Sequence, residues 1–334
     1  MAIEKGAKVA VIGDGGWGTT LAILLHNKGY KVHIWGPFAD YIQFLDKKRR
    51  NPKFLPGVKI PGGISFSADI RQVIKEASLI VVAVPSHFLR GVLSKIKGEE
   101  ISSITILSAA KGIENDTLMR MSELIKNVWG RVKVVVLSGP TICYEVARGI
   151  PTTCVASSED VALAEEIQSV LMSERFRVYT SADVVGVELG GALKNIIAIA
   201  CGISDGLRFG ANTKAAILTR GLVEIRHLGA AMGAKSETFA GLSGLGDLVT
   251  TCVSAHGRNR WVGEQIGKGR KIKEVLGRMD MVAEGVRTAK SAFMLAERRK
   301  VEMPITAQIY AVLYEDKDPQ SAVADLMLRQ KKAE

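Results

Sequence analysis

The sequence reads Lys-Val-Ala-Val-Ile-Gly-Asp-Gly-Gly-Trp-Gly-Thr from residue 8 to residue 19. A β-branched apolar run leads into three glycines, Gly13, Gly15 and Gly18, with the spacing G-x-G-x-x-G. In this context Gly13 permits a tight turn, Gly15 lets the backbone approach a pyrophosphate, and Gly18 lets a helix pack closely on the strand. The phosphates then rest on the helix N-terminus. The stretch predicts a strand, turn and helix that bind a dinucleotide; the alternative is a glycine-rich turn without a ligand.

Apolar runs alternate with helical stretches through the first half of the chain, as is typical of a parallel sheet covered on both faces. The following segments show apolar residues at helical spacing with no comparable strand run: Ala192–Gly202, Thr213–Met232 and Val286–Arg299. We therefore expect an α/β fold, in which a Rossmann-like, mostly parallel sheet at residues 1–182 precedes an all-α substrate domain at residues 183–334. The predicted strands are Lys8–Ile12, Lys31–Trp35, Ile80–Val84, Thr105–Ser108, Lys133–Leu137, Thr152–Ala156 and Phe176–Tyr179.

The composition of the chain indicates a globular protein. The chain is 47% hydrophobic and 24% charged, as in a globular protein with an ample core. The net charge is +11, and the densest runs of lysine and arginine contain no interleaved aromatic residues. This pattern is more typical of a solvent-exposed face than of a nucleic-acid binding site. No apolar stretch is long enough for membrane insertion, and the four cysteines lack metal-ligand spacing. We expect a cytoplasmic protein that binds no nucleic acid and no metal.

Lys194 lies inside the apolar helical run Gly-Ala-Leu-Lys-Asn-Ile-Ile-Ala at residues 191–198. Burial disfavours the charged ammonium and brings an amine toward proton exchange near neutral pH. Lys194 is therefore a candidate general acid and base. The alternative is a lysine that lays its methylene stem along apolar surface.

Other polar residues also follow apolar runs or interrupt helical ones. Lys111 follows a predicted strand, where a cation polarises a carbonyl or holds a phosphate; it is otherwise a surface lysine in a turn. Arg258 and Asn259 offer planar donors suited to a phosphate or carboxylate. Asp247 either orients Lys194 or caps a helix. These residues predict a site for a small anionic substrate.

The residues at the end of the second predicted strand do not decide between NAD and NADP as the cofactor. An acidic residue there binds the ribose 2′-hydroxyl of NAD, and a basic residue binds the 2′-phosphate of NADP. Gly36, Pro37 and Phe38 supply neither, and Asp40 falls on the next helix. Pro37 and Phe38 give an apolar shelf for adenine. Because an uncompensated phosphate dianion costs more in a neutral pocket than an unpaired hydroxyl, we expect NAD or NADP with a modest preference for NAD.

Taken together, the motifs resemble the bacterial NAD(P)-dependent glycerol-3-phosphate dehydrogenases from Val9 to about Leu328. Several long motifs in a fixed order exclude a merely shared fold. They are GDGGWGT at 13–19, AAKGIE at 109–114, LSGPT at 137–141, GVELGGALKNIIAIA at 186–200, GLSGLGDLVTTC at 241–252, GRNR at 257–260 and VAEGVRTA at 282–289.

The resemblance implies that the protein interconverts dihydroxyacetone phosphate and sn-glycerol 3-phosphate, feeds glycerophospholipid synthesis and forms a homodimer. Lys194 would exchange the proton, with Lys111 and Asp247 as further catalytic groups. The implied substrate residues are Lys111, Gly139, Thr141, Lys194, Asp247, Gly257, Arg258 and Asn259. The implied cofactor residues are Gly13, Gly15, Gly16, Trp17, Gly18, Phe38, Lys111, Cys143, Arg258, Val282 and Glu284.

Five positions depart from the common bacterial pattern. Thr141 replaces serine and keeps its hydroxyl, Cys143 replaces a small alanine, and Gly257 replaces a serine. Pro37 and Phe38 replace a basic pair at the adenosine end, which weakens the case for NADP. Two other functions remain open: a β-hydroxyacid dehydrogenase with the same two-domain plan, against which GRNR and GLGDL count, and a dinucleotide-binding sensor without turnover.

Overall fold

A computed structural model of the chain describes residues 3–254, 257–279, 282–331 and 333. It divides into two compact units, one of residues 1–111 and 119–188, the other of residues 112–118 and 189–334. This division assigns the short segment Gly112–Leu118, which follows the strand Thr105–Ser108, to the helical unit. The boundary between residues 182 and 183 stays a prediction.

The first unit contains a sheet of eight strands, with the order β10-β9-β8-β7-β6-β1-β2-β5, and a separate antiparallel pair, β3 and β4. All sheet pairs are parallel except β8 with β9. The α/β class with a mostly parallel sheet is therefore confirmed. The strands are β1 (Lys8–Ile12), β2 (Lys31–Trp35), β3 (Arg50–Asn51), β4 (Leu55–Lys59), β5 (Ser65–Ser67), β6 (Leu79–Val82), β7 (Thr105–Ser108), β8 (Lys133–Ser138), β9 (Thr152–Ser157) and β10 (Phe176–Ser181).

Helices cover both faces of this sheet. Val9 and Val11 pack into one buried cluster and Ala10 and Ile12 into another, as the alternating side chains of a central strand require. The helices of this unit are α1 (Gly16–Asn27), α2 (Ala39–Lys48), α3 (Ile70–Ile74), α4 (Ser86–Leu93), α5 (Met121–Trp129), α6 (Cys143–Ala147) and α7 (Val161–Leu171).

Four strands differ clearly from the sequence-based expectation, and β8, β9 and β10 extend one or two residues beyond their predicted ends. The strand predicted at Ile80–Val84 is Leu79–Val82, because the chain leaves the sheet before Pro85. The strands β3, β4 and β5 were not predicted at all. Pro56 and Gly57 lie inside β4, and such residues weaken the signal of a strand. The edge strand β5 has only three residues, too few for an alternating pattern.

The described residues of the second unit form helices and their connecting segments, and none of the ten strands lies among them. Its first helix, α8, begins within the first unit. Contrary to the expectation that no apolar stretch is long enough, this helix is long and apolar enough to cross a membrane. However, 89% of its most apolar window is buried, as in the core helix of a folded domain. The helices are α8 (Val184–Gly206), α9 (Ala211–Ala231), α10 (Asp247–Val253), α11 (Arg258–Gly267), α12 (Ile272–Gly277), α13 (Glu284–Arg299), α14 (Pro304–Tyr314) and α15 (Pro319–Met327).

A buried carboxylate joins two helices of the second unit. Glu224 on α9 accepts hydrogen bonds from the N–H groups of Ile305 and Thr306, at 2.6 and 3.0 Å, and from the Thr306 hydroxyl at 3.0 Å. These donors belong to the first turn of α14, so Glu224 satisfies groups that a helix leaves unpaired. Burial nevertheless raises the pKa of Glu224 to about 7.

We expect this carboxyl to make stability depend on pH. Its pKa is raised in the folded state, so its contribution is complete below the ordinary value of 4.5 and is lost as pH rises toward about 7. Relative to Glu224→Gln, the free energy of unfolding of the unsubstituted protein should fall by about 2–4 kcal/mol between pH 4.5 and pH 8. Urea unfolding across this range measures the difference. Glu237→Gln, at an exposed carboxylate, is the control, and a difference that stays constant with pH contradicts the prediction.

Candidate active site

The glycine-rich turn in the first unit connects β1 to α1. Gly13 has a φ of +124°, and a Cβ on it would lie 2.7 Å from the carbonyl oxygen of Ala83. A Cβ on Gly18 would lie 2.0 Å from the carbonyl oxygen of Gly13. A Cβ on Gly15 would meet no protein atom within 4 Å. Packing thus requires glycine at positions 13 and 18. No protein atom requires it at position 15, which agrees with the predicted close approach of a ligand there.

The start of α1 suits a pyrophosphate. Its first turn carries no acidic residue, and no side chain caps its N–H groups. The Trp17 Nε1 atom is buried without a hydrogen-bond partner. Anions bind favourably at such a helix N-terminus, where unpaired N–H groups and the helix dipole both act. The residues present therefore fit a dinucleotide cofactor.

Two more of the predicted cofactor residues lie in the first unit. Cys143, the first residue of α6, places its Sγ atom 3.2 Å from a Cβ built on Gly16, and its carbonyl oxygen accepts a hydrogen bond from the Thr20 hydroxyl at 3.1 Å. Cys143 thus borders the glycine-rich turn. Phe38 lies directly before α2 and is 70% exposed. Its aromatic face is open to a ligand.

Three predicted substrate residues meet at the carboxyl ends of β7 and β8. The Lys111 Nζ atom and the Thr141 hydroxyl both donate to the carbonyl oxygen of Gly139, each at 3.1 Å. Ligands of doubly wound sheets bind beyond this edge. The first unit therefore brings together an ammonium, a hydroxyl and a glycine turn that can hold an anionic, oxygen-rich molecule.

The second unit surrounds Lys194 with polar partners. Its side chain forms an ion pair with Asp247 and donates to the Thr251 hydroxyl at 2.6 Å. Lys194 is 7% exposed and Asp247 is 1% exposed. The carboxylate compensates the buried ammonium, and the two acceptors fix the direction of its Nζ atom. Of the two roles considered for Asp247, the structure shows the contact with Lys194.

A close backbone approach makes this ion pair possible. A Cβ on Gly190 of α8 would lie 2.4 Å from the carbonyl oxygen of Ser243. Ser243 belongs to the π-helical turn Leu242–Gly246, which leads directly into α10. Glycine at position 190 therefore lets α8 contact this turn, and the turn places Asp247 beside Lys194.

The start of α11 carries the remaining predicted substrate residues. Gly257 is its N-terminal cap residue, without a side-chain cap, and exposed Arg258 donates to the carbonyl oxygen of Val282 at 3.0 Å. Asn259 is buried; its amide donates to Asn195 at 2.8 Å and accepts from the Gly285 N–H at 2.9 Å. The motif residues at 257–259 and 282–285 are thus brought together, with Glu284 as the first residue of α13.

Two protein-family models match this chain, one in each half. The model described as the N-terminus of NAD-dependent glycerol-3-phosphate dehydrogenase matches residues 8–164. The model for the C-terminus of the same enzyme matches residues 183–324. The chain belongs to the NAD-dependent glycerol-3-phosphate dehydrogenase family. The resemblance inferred from the motifs is therefore confirmed, together with an oxidoreductase activity that uses NAD or NADP.

Individual relatives cover almost the whole chain. The glycerol-3-phosphate dehydrogenase [NAD(P)+] of Chlorobium phaeobacteroides is 48% identical over 98% of this chain and 99% of its own length. The enzyme of the same name from Syntrophotalea carbinolica has the same identity and coverage. The crystal structure of a glycerol-3-phosphate dehydrogenase from Coxiella burnetii, 36% identical, matches 97% of this chain and 99% of its own with a TM-score of 0.93.

The structure adds two polar residues to the predicted dehydrogenase site. Thr251 contacts Lys194, and Asn195 contacts Asn259. Thr251 lies four residues after Asp247, on the same face of α10, and this spacing was a usable signal. Asn195 directly follows the candidate lysine, but only the fold shows that it binds a residue 64 positions away.

Proposed function

We propose that the chain reduces dihydroxyacetone phosphate to sn-glycerol 3-phosphate, with Lys194 as the proton donor, and so supplies the glycerol backbone of glycerophospholipids. The observation that carries this mechanism is the buried contact of Lys194 with Asp247 and Thr251. When bound, the nicotinamide cofactor supplies the hydride for C2. The residues that we expect to hold it are Gly13, Gly15, Gly16, Trp17, Gly18, Phe38, Lys111, Cys143, Arg258, Val282 and Glu284.

Lys194 acts on the C2 oxygen. As C2 is reduced, negative charge develops on this oxygen, and the Lys194 ammonium donates a proton to it. The interaction is stronger in the transition state than with the neutral ketone, so it accelerates the chemical step. In the reverse direction the neutral amine accepts the hydroxyl proton. Asp247 and Thr251 hold the Nζ atom in position and stabilise the ammonium.

The phosphate supplies binding energy away from C2. Arg258 and the uncapped N–H groups at the start of α11 suit a phosphate dianion, since a guanidinium fork and a helix N-terminus both favour it. Asn259 is held by two hydrogen bonds, so we propose that it contributes its remaining amide hydrogen. Lys111, Gly139 and Thr141 of the first unit are proposed as additional contacts to the substrate hydroxyl and carbonyl oxygens.

The function is tested by oxidation of NADH and NADPH with dihydroxyacetone phosphate, measured side by side. We expect turnover that depends on this substrate, with a modest preference for NADH. Binding of a dinucleotide without turnover of any phosphorylated ketone supports the sensor instead. Turnover of β-hydroxyacids without turnover of dihydroxyacetone phosphate supports the alternative enzyme class.

A basic residue introduced after β2 should shift the cofactor preference from NADH toward NADPH. Phe38 is exposed there, so Phe38→Arg should lower the KM for NADPH by about 5–10-fold through a charge-assisted contact with the 2′-phosphate. Gln43→Arg, which adds the same charge to an exposed position of α2, is the control. If the unsubstituted enzyme already prefers NADPH, this interpretation of the strand end is wrong and the basic cluster at residues 47–50 becomes the candidate phosphate partner.

We also infer that the enzyme is a cytoplasmic homodimer. All four cysteines are free, which agrees with a reducing compartment, and the homodimer rests on the family resemblance. Light scattering coupled to gel filtration tests the homodimer through the mass in solution. A mass near 36.0 kDa, that of a single chain, contradicts it.

A further inference from the structure

A carboxylate lies at the end of β2, where the sequence of that strand supplies none. It belongs to Asp14 in the glycine-rich turn. A Cβ built on Gly36, the first residue after β2, would lie 2.6 Å from both Cγ and Oδ2 of Asp14. The side chain therefore reaches from the turn after β1 to the exit of the neighbouring strand. Position 36 must be glycine to accommodate it.

The surrounding contacts hold the backbone of Asp14 in place. The Asp14 carbonyl oxygen accepts hydrogen bonds from Asn51 Nδ2 at 2.8 Å and from the Thr19 hydroxyl at 3.3 Å. The Tyr41 hydroxyl in turn donates to Asn51 Oδ1 at 2.7 Å. The turn is thus held by residues from α1, α2 and β3. These contacts fix the backbone from which the Asp14 side chain extends to the end of β2.

Burial of Asp14 is costly and is not balanced within the chain. The residue is 8% exposed, and its Oδ2 atom is buried with no hydrogen-bond partner. Burial raises the pKa of the carboxyl, while its own backbone and Lys53, an exposed residue, act in the opposite direction. An incompletely paired buried carboxylate usually has a functional reason.

We propose that Asp14 determines cofactor choice, by providing the acidic group of the adenosine ribose subsite from the glycine-rich turn. In dinucleotide-binding folds an acidic residue at this strand end favours the 2′-hydroxyl of NAD and opposes the 2′-phosphate of NADP. Asp14 occupies the same edge and supplies the same carboxyl group. This inference rests on the proposed use of NAD(H), and it strengthens the preference expected from the neutral strand end alone.

The test compares Asp14→Asn with Asp40→Asn, which removes one negative charge from an exposed position in the first turn of α2. Calorimetry at pH 7.5 gives dissociation constants for NADH, NADPH, 5′-AMP and adenosine 2′,5′-bisphosphate. The two adenosine ligands report on this subsite without turnover. Asp14→Asn should shift the ratio of NADPH to NADH affinity toward NADPH by about tenfold or more, and the ratio for the adenosine ligands in the same direction. Asp40→Asn should shift either ratio by less than about twofold.

Each outcome distinguishes this assignment from the proposed function. If unsubstituted enzyme binds NADH but Asp14→Asn leaves the affinity ratios unchanged, or if Asp40→Asn shifts them equally, the assignment of Asp14 is wrong. Failure of the unsubstituted enzyme to bind either dinucleotide overturns both proposals. Asp14→Ala is the second variant, and thermal unfolding shows whether each variant is folded. The same shift in both Asp14 variants supports the assignment.

Discussion

Lys194→Ala should lower kcat for reduction of dihydroxyacetone phosphate by about 100-fold or more, the scale of losing a positioned acid and base. The variant keeps the rest of the proposed site but has no group to donate a proton to the C2 oxygen. The dissociation constant for NADH should change little, because the proposed cofactor contacts do not include this side chain. Steady-state kinetics and fluorescence titration measure the two effects separately.

The control must account for the carboxylate that the substitution leaves behind. Asp247 is 1% exposed, and without Lys194 its charge loses its partner, which destabilises the fold. Lys194→Arg retains this partner but places a guanidinium that does not transfer protons where the amine was. It should fold normally and still lose most of kcat. Turnover within a few-fold of the unsubstituted enzyme in either variant removes Lys194 from the mechanism.

Small primary amines provide an independent check on Lys194→Ala. A small ammonium ion that enters the space of the missing side chain offers the same proton to the substrate. Restored turnover that rises with amine concentration is the expected result. It separates lost proton transfer from a misfolded site, since an added amine repairs only the former.

The sequence predicted the parts of this fold that carry strong periodic signals. The central strand β1 (Lys8–Ile12) was predicted with its bounds. From Val9 onward it is apolar on both faces, and a buried parallel strand shows such an unbroken apolar run. The edge strand β4 contains Pro56 and Gly57, and its pairing with β3 depends on a partner of only two residues. Tertiary contacts stabilise such a pair of strands, and the local sequence pattern does not show these contacts.

The site shows the same contrast. Lys194 was identifiable because a lysine in an apolar helix needs a compensating partner, and the buried ion pair with Asp247 supplies one. Asp14 was not identifiable as a neighbour of Gly36, although it lies inside the motif on which the fold was predicted. Its position depends on which strands are adjacent and where each one ends. These are properties of the sheet, and they place residues together that are distant in sequence.

The second large effect concerns Arg258. Arg258→Ala should raise the KM for dihydroxyacetone phosphate by about 10–100-fold, the equivalent of roughly 1.5–3 kcal/mol for a lost charge-assisted bidentate contact. Slow reduction of unphosphorylated dihydroxyacetone should remain nearly unchanged, because that ketone has no phosphate for the guanidinium to bind. Comparison of kcat/KM for the two ketones isolates the phosphate contact.

Two controls separate phosphate recognition from other roles of this side chain. Arg270→Ala removes an exposed arginine from the same unit and should leave both ketones unaffected, apart from a small field effect. Because Arg258 also donates to the Val282 carbonyl oxygen, within a segment assigned to the cofactor, the NADH dissociation constant is measured as well. Equal losses on both ketones would assign Arg258 to the cofactor or to the fold. A loss confined to the phosphorylated ketone, with NADH affinity retained, assigns it to the phosphate.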